Sequence, residues 1–432
     1  MKQILKYIGV FIITLLTLII LQHLAISIPN KYIEKNMIET VKYYEGQENH
    51  ELLLELENSP KYLNKSLIID NYTDCLTLNM LWNTDTTEVN KWKQQVLMPY
   101  YYNGYGTMSE NLKETVVNNK RPNTEYSRYW HGSMIYLKPL LVFFNIKQIK
   151  IINCIIIILL TIYLLKLIYK KSKKLFMSFI IGLLSIGYFV IPFCFEYYFA
   201  FLIMLISSIV TMKILKKDDK YFYYLMIISG ILICFMDFLT CETITLVIPL
   251  LLKLYFDKKK TTKEKFIFII KSCLCWGLSY AITFASKWII SALLIGAKSF
   301  INTWNKAKIR IYEIPIIDAE MAIPKILLTT ISILFPFNII KDPVIIPIVT
   351  LLFVIWFYVF SLSKKTKAKY SLLLLICLIP LARLTILFAH TAGHYFFDYR
   401  ALLPIAIVAS LIIITGIKKE IKNLKKGKRD EK

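Results

Sequence analysis

Long apolar segments constrain this chain more than any other feature. A helix needs roughly 20 apolar residues to cross the hydrocarbon core of a membrane, and eleven segments approach or reach that length. Hydrophobic residues make up 56% of the 432 residues and charged residues 19%, whereas a soluble domain has about 45–50% and about 25%. The pattern predicts an all-α polytopic membrane protein and excludes a soluble globular or disordered basic one. The segments are Tyr7–Ile28, Ile149–Tyr169, Leu175–Phe195, Tyr198–Leu215, Tyr221–Met236, Leu239–Phe256, Phe266–Ser286, Ile326–Ile340, Val344–Leu362, Tyr370–Ala389 and Ala401–Ile417.

These segments predict about 10–12 transmembrane helices with a large loop between the first two. Ile326–Ile340 is short and broken by Pro336, so we expect it not to cross the membrane. The apolar run that continues to Ile295 leaves room for one additional crossing. Ser133–Phe144 is too short to span and is typical of a helix on the membrane surface. The predicted parts are a first transmembrane helix (1–28), an extracytoplasmic loop with the interfacial helix (29–148, here called the first loop), a multi-span bundle (149–417) and a basic cytoplasmic tail (418–432).

The formal net charge of +24 is concentrated in short basic runs between apolar segments. Such runs stay on the cytoplasmic side, which predicts that both termini are cytoplasmic. Acidic residues outnumber basic ones between Pro29 and Gly132, so the first loop should lie outside. The Lys/Ile/Asn/Tyr-rich composition favours a bacterial plasma membrane. Nucleic-acid binding would need one contiguous basic face, so we expect membrane lipid, and no nucleic acid, as a partner. The basic runs lie at 170–174, 213–220, 258–265, 364–369 and 418–432.

Ionisable residues at the predicted span ends gather on the outer side. Charges within membrane spans are costly and usually functional, and Arg383 lies far from the basic runs that could explain it. The alternative is that each residue merely sits in the headgroup layer. Their one-sided distribution favours a substrate-binding site open to the outer leaflet. The candidates are Asp237, Glu242, Lys287, Arg383, His390, His394 and Arg400, with Glu196 and Asp398 nearby in the sequence.

The first loop contains two neighbouring aspartates that are candidate catalytic groups. The sequence from Ile68 to Met80 is typical of a short strand or turn that enters a helix, with Asp70 as the helix cap and Asp74 one turn further on. A carboxylate in a partly desolvated pocket is suited to general-base catalysis. The alternative is that Asp70 only caps the helix and Asp74 is solvated. A divalent cation beside this pair is compatible with the sequence, but no ligand spacing requires one, and no metal site is predicted.

A second candidate region is the aromatic stretch Tyr126–Gly132 before the interfacial helix. Arg128 and His131 could contact a phosphate group, and Trp130 could stack on a sugar ring. Ordinary anchoring of aromatic residues at the membrane boundary is the alternative.

These features together resemble the GT-C class of polytopic glycosyltransferases, which use lipid-linked sugars. That class includes protein O-mannosyltransferases and aminoarabinose transferases. The resemblance rests on the first span, the large acidic loop, the interfacial helix and the aromatic-proline stretch Tyr126–Leu141. The chain is also similar to bacterial multi-span membrane proteins that carry comparable short motifs. Those motifs are here Asp70–Asp74, Tyr129–Gly132, Asp237–Thr240 and His390–Arg400.

The resemblance implies inverting transfer of a sugar from a polyprenyl-phosphate donor to an extracytoplasmic glycan or lipid acceptor. Asp70 or Asp74 would deprotonate the acceptor hydroxyl. The charge of the departing phosphate would be met by basic residues. Two alternatives remain open: a transporter or flippase of a lipid-linked glycan, and a non-catalytic component of cell-surface polymer assembly. The expected phosphate-binding residues are Lys287, Arg383, Arg400 and His394.

Overall fold

The computed structural model describes residues 2–53, 65–85, 90–257, 261–312, 323–334 and 345–430. Over these residues the chain is almost entirely helical, with two pairs of very short strands. A helix satisfies all its backbone hydrogen bonds internally, as an apolar surrounding requires. The all-α prediction is therefore confirmed for the described part of the chain.

The first loop folds into short helices and two antiparallel strand pairs beside the bundle. Strand β1 pairs with β2, with His50 opposite Asp70, and β3 pairs with β4, with Pro99 opposite Glu125. The predicted interfacial helix is present as a short helix that packs against the first helix of the chain. The elements up to this point are α1 (Lys2–Ile26), α2 (Glu34–Tyr44), β1 (His50–Leu52), β2 (Ile68–Asp70), α3 (Asn71–Asn83), α4 (Lys91–Leu97), β3 (Pro99–Tyr100), α5 (Met108–Val116), β4 (Thr124–Glu125) and α6 (Met134–Leu141).

The remaining helices form the bundle. Short 3₁₀ helices cover Tyr188–Phe193 and Tyr399–Leu402, and Phe357–Ser361 forms a π turn. The α-helices of this part are α7 (Ile146–Tyr169), α8 (Lys173–Ser185), α9 (Phe195–Lys213), α10 (Asp219–Met236), α11 (Ile244–Phe256), α12 (Thr262–Ile295), α13 (Ala297–Tyr312), α14 (Ile323–Ser332), α15 (Ile345–Trp356), α16 (Lys364–Ile386), α17 (Phe388–Asp398) and α18 (Leu403–Asp430).

Seven of the described helices are long and apolar enough to cross a membrane, and two more are apolar but shorter. This is the architecture of a multi-pass membrane protein. Helix α12 is continuous over 34 residues, so the run to Ile295 does not turn back for an additional crossing. The predicted segment Leu175–Phe195 is divided: α8 ends at Ser185 and a 3₁₀ turn follows. Of Ile326–Ile340, only the part up to Leu334 is described, and its helix α14 ends at Ser332.

Glycines allow close contacts between helices at two places in the bundle. Helix α10 packs along α12, where a Cβ atom on Gly230 would lie 2.5 Å from the carbonyl oxygen of Trp276. Helix α8 packs along α18, where a Cβ atom on Gly182 would lie 2.6 Å from the side chain of Ile407. Small residues at such crossings let helix backbones approach closely in membrane proteins.

Candidate functional site

The turn between α10 and α11 is built around Asp237. One carboxylate oxygen of Asp237 accepts hydrogen bonds from the backbone N–H groups of Leu239 and Thr240, both at 3.1 Å. Burial raises the pKa of Asp237 to about 8. Leu239 has a φ of 70°, a left-handed conformation that is rare for a branched side chain. The turn directs the Leu239 carbonyl oxygen toward Arg383 and His390, which both donate to it.

Arg383 lies at the centre of this polar network, and all its nitrogen atoms have partners. Its Nε donates to Glu242 Oε1 at 2.9 Å and its Nη1 to Asp398 Oδ2 at 2.5 Å, while Nη2 donates to the Leu239 carbonyl oxygen. The guanidinium and both carboxylates are buried. A buried charge is tolerated when several partners compensate its desolvation. Arg383 therefore links α16, the turn before α11 and the end of α17.

His390 and His394 lie on α17 with their ring centroids 4.5 Å apart. His390 Nε2 is 3.0 Å from the Leu239 carbonyl oxygen and 4.0 Å from Asp398 Oδ1. His394 has a non-helical φ of −128°, which marks a kink in α17. Both histidines thus border the Arg383 network.

Arg400 lies just beyond, fully buried, and ties the bundle to the first loop. Its Nη2 donates to the backbone oxygen of Ser66 at 3.0 Å and its Nη1 to that of Phe396 at 3.3 Å. The guanidinium carbon lies 4.3 Å from the ring centre of Tyr197. In this conformation Arg400 stabilises the contact between the first loop and the bundle.

Asp70 caps α3, as the sequence predicted. Its Oδ1 accepts a hydrogen bond from the Thr73 N–H at 3.1 Å, and His50 Nε2 lies 3.7 Å away. The carboxyl groups of Asp70 and Glu196 lie close enough to interact electrostatically, and Glu196 also accepts a hydrogen bond from the Thr240 hydroxyl at 2.9 Å. Two carboxylates in contact repel unless a proton or a cation lies between them. Asp70 is therefore joined through Glu196 to the turn before α11.

Asp74 has a different environment. Its Oδ2 lies 2.8 Å from Lys150 Nζ and accepts from the Tyr44 hydroxyl at 3.0 Å, while its Oδ1 accepts from the Phe195 N–H at 2.8 Å. Asp74 is completely buried. Burial raises its pKa, and the charge of Lys150 acts in the opposite direction. Both oxygens of Asp74 thus have protein partners, which is typical of a buried ion pair that holds elements together.

Lys287 and Trp130 connect the first loop to α12. Lys287 Nζ donates to the Val96 carbonyl oxygen at 2.9 Å, next to the C-terminal end of α4, where a helix favours positive charge. The indole N–H of Trp130 donates to the Thr283 carbonyl oxygen at 2.8 Å, and its ring stacks on Phe235. Both side chains are buried and occupied by these contacts.

His131 is also buried. Its Nε2 lies 2.8 Å from the Tyr126 carbonyl oxygen. Burial, with the nearby charge of Lys287, lowers the pKa of His131 to about 3. The imidazole is therefore neutral at physiological pH and supplies no charge to a phosphate.

A cavity of about 820 Å³ lies between the first loop and the bundle. Seven of the eighteen residues that line it are aromatic, and Glu242 from the turn before α11 also lines it. The Arg128 guanidinium lies 4.1 Å from the ring centre of Tyr126 at its edge, and Lys306 of α13 also lines it. We call this space the aromatic cavity. Its aromatic residues are Tyr72, Tyr100, Tyr126, Tyr129, Tyr280, Phe284 and Trp288.

The structure thus divides the predicted site residues into separate groups. Five of them (Asp70, Asp237, Glu242, Arg383 and His390) belong to one network of contacts, and Arg128 and Glu242 line the aromatic cavity. Asp74, Trp130, His131, Lys287 and Arg400 are engaged in contacts between the first loop and the bundle. His394 lies beside the network through its ring contact with His390.

Sequence reasoning left several participants out of the predicted site. Glu196 and Asp398 were recognised as polar residues at span ends, and the structure joins them to Asp70 and Arg383. Lys150 is a charged residue near the start of an apolar segment, and that intramembrane position was the available signal. Lys306 and Glu125 line the aromatic cavity, but neither stands in a pattern that distinguishes it from other surface charges.

Comparison with protein-family models, curated proteins and solved structures gives no match to this chain. The fold and the site therefore define its class by themselves. It is an all-helical, multi-pass membrane protein with a buried polar network around Arg383 and the aromatic cavity between its first loop and the bundle. Within the described residues, no group of three or more His, Cys, Asp or Glu side chains could hold a metal ion.

Proposed function

We propose that the protein is a membrane glycosyltransferase that moves a sugar from a polyprenyl-phosphate donor to an extracytoplasmic glycan or lipid acceptor, with inversion. The observation that carries this proposal is the aromatic cavity between the first loop and the bundle. Aromatic faces are suited to stacking on the apolar faces of a sugar ring, and buried carboxylates to orienting its hydroxyl groups. The volume of about 820 Å³ is within the usual range for small-molecule sites, about 300–1,000 Å³.

The donor phosphate is assigned to Arg128 and Lys306. Both line the aromatic cavity, and Arg128 can bind a phosphate oxygen pair with its planar fork. The four residues that the resemblance implied for the leaving phosphate are placed differently. Lys287, Arg383 and Arg400 already contact protein acceptors, and His394 lies beside His390. Arg128 and Lys306 are therefore better placed to meet the charge of the leaving group.

The proposed topology has ten crossings with both termini in the cytoplasm of a bacterial cell. The seven long apolar helices, the two shorter ones and the divided segment 173–193 give these ten crossings. The basic runs then lie on the cytoplasmic side, as the positive-inside rule requires. The aromatic cavity and the Arg383 network fall at the outer side. A lipid-linked donor in the outer leaflet could then enter between helices.

A transporter of a lipid-linked glycan is the second candidate. Its support is the proximity of Asp70 in the first loop to Glu196 in the apolar helix α9, because acidic residues within membrane helices often form proton or ion relays. Transport would leave the donor intact, whereas transfer breaks its bond to phosphate.

The proposal is tested by deleting the gene and comparing surface glycans and glycolipids by mass spectrometry. Loss of one sugar substituent, restored by the wild-type gene, is the expected result. Unchanged glycans and glycolipids in the deletion strain would refute the proposal.

A further inference from the structure

Glu242 has one carboxylate oxygen that accepts a hydrogen bond and one that has no partner among the described residues. Oε1 accepts from Arg383 Nε at 2.9 Å. Oε2 is buried and has no hydrogen-bond partner among the described residues. The side chain lines the aromatic cavity. A buried oxygen without a partner keeps the cost of its desolvation, which a bound hydroxyl group would relieve.

The other carboxylates near the cavity are less suited to this role. Asp74 uses both oxygens in protein contacts, and Asp70 caps α3 without lining the cavity. Asp237 caps the turn before α11 and does not line the cavity either. Glu125 does line it but is exposed to solvent. Glu242 alone among these five combines burial, a free oxygen and access to the cavity.

We propose that Glu242 is the general base that deprotonates the acceptor hydroxyl, an inference that rests on the proposed glycosyltransferase function. The acceptor O–H proton passes to Glu242 Oε2. The hydroxyl oxygen forms a bond to the anomeric carbon, and the bond from that carbon to the phosphate oxygen breaks. The electron pair leaves with polyprenyl phosphate, whose charge is met by Arg128 and Lys306. Correctly placed general bases accelerate reactions by about 10²–10⁴-fold.

Arg383 is then a positioning residue. Its guanidinium is fixed from the other side by Asp398 at 2.5 Å and by the Leu239 carbonyl oxygen. These contacts hold Glu242 Oε1, so that only Oε2 can face a substrate. The strained turn at Leu239 contributes by presenting its carbonyl oxygen to Arg383. Residues that act through another in this way orient the catalytic group without touching the substrate.

The test uses the deletion strain complemented with the full-length protein and its variants. Glu242→Gln keeps the size of the side chain and removes the base. We expect the amount of the sugar substituent, normalised to the amount of the variant in the membrane, to fall at least about 100-fold. Binding of farnesyl phosphate to the purified variant should change less than about threefold, because the phosphate contacts are intact. A merely structural role would weaken binding and activity together.

Further variants keep the test decisive if Glu242→Gln folds poorly. Glu242→Asp retains the carboxylate and should recover part of the activity lost in Glu242→Gln. Glu45→Gln is the matched control, because it removes one exposed carboxylate from its pair with Lys113, 2.6 Å away, and should leave the glycan unchanged. Arg383→Lys should retain farnesyl phosphate binding but lower the activity.

Three results would overturn the assignment in different ways. Activity of Glu242→Gln within about threefold of wild type would exclude Glu242 as the base while leaving the transferase function in place. A loss of activity in Glu125→Gln, with Glu242→Gln active, would move the base to Glu125. Unchanged glycans and glycolipids in the deletion strain would instead refute the transferase function, and the base role with it.

Discussion

Arg383 Nε donates to Glu242 Oε1 at 2.9 Å, although the two residues lie 141 positions apart in the chain. Asp398 occupies the opposite side of the same guanidinium. One buried cation thus holds two buried carboxylates that come from different helix ends. This arrangement joins three parts of the bundle and leaves Glu242 Oε2 without a hydrogen-bond partner among the described residues, on a side chain that lines the aromatic cavity.

Replacing Arg383 with Leu should destabilise the protein strongly. The change leaves Glu242 and Asp398 buried without their cation, and breaking a buried ion pair from one side costs about 3–5 kcal/mol. Thermal unfolding of the detergent-solubilised protein should show a lower midpoint and less folded protein. Lys113→Ala, which breaks the exposed pair with Glu45, should leave the midpoint unchanged. Equal midpoints for wild type and Arg383→Leu would show that the network does not stabilise the fold.

Asp74→Asn should also act on stability rather than on chemistry. The substitution leaves Lys150 buried without its carboxylate partner, again at a cost of about 3–5 kcal/mol. The double variant Asp74→Asn/Lys150→Met should recover part of the loss, because both charges are then removed. Activity normalised to folded protein should stay close to wild type. Normal stability with abolished activity would instead favour the base role predicted for Asp74 from the sequence.

The apolar segments predicted the helical architecture well because the length and apolarity of a helix depend on local sequence. The cap formed by Asp70 was predictable for the same reason: a favoured capping residue stands between a short apolar strand and a helix. The division of the segment Leu175–Phe195 was not predictable, because Ser185 and Gly187 are isolated small residues in an otherwise largely apolar run.

The site was predicted less completely because its contacts are long-range. The sequence showed that charges gather at one end of the spans, but not which of them pair. Lys150 lies beside Asp74, and Glu196 beside Asp70, only because α3 packs against the bundle. Lys306 reaches the aromatic cavity because α13 follows the end of α12, and no local pattern indicates that position.

Arg128→Ala should weaken binding of farnesyl phosphate by about tenfold, corresponding to about 1.4 kcal/mol. The variant loses a charged donor at the edge of the aromatic cavity. Lys306→Ala should also weaken binding, whereas Lys308→Ala should not, because Lys308 lies on the same helix but does not line the cavity. Titration calorimetry in matched detergent measures the three dissociation constants. Equal weakening by the Lys306 and Lys308 variants would point to nonspecific attraction.

His131 should make stability depend on pH. Its pKa is lowered from 6.5 to about 3 in the folded protein. Below pH 6.5 the His131 side chain is therefore protonated in the unfolded chain but remains neutral in the folded one. The stabilisation is complete above about pH 6.5 and is lost as the pH falls toward 3. At pH 5 the loss should be about 2 kcal/mol. The midpoint temperature of thermal unfolding should therefore fall more steeply between pH 7.5 and 5 for wild type than for His131→Gln. Parallel plots of midpoint against pH for the two proteins would contradict this account.

The fate of the donor lipid tests the central claim most directly. Purified protein is reconstituted into vesicles with lipid-linked sugars and an acceptor fraction, both extracted from the membranes of the source cells, and the lipids are followed by mass spectrometry. A transferase converts the donor to polyprenyl phosphate while the sugar appears on the acceptor, and Glu242→Gln should stop both changes. Donor that crosses the vesicle membrane intact, without formation of polyprenyl phosphate, would contradict the account and establish transport instead.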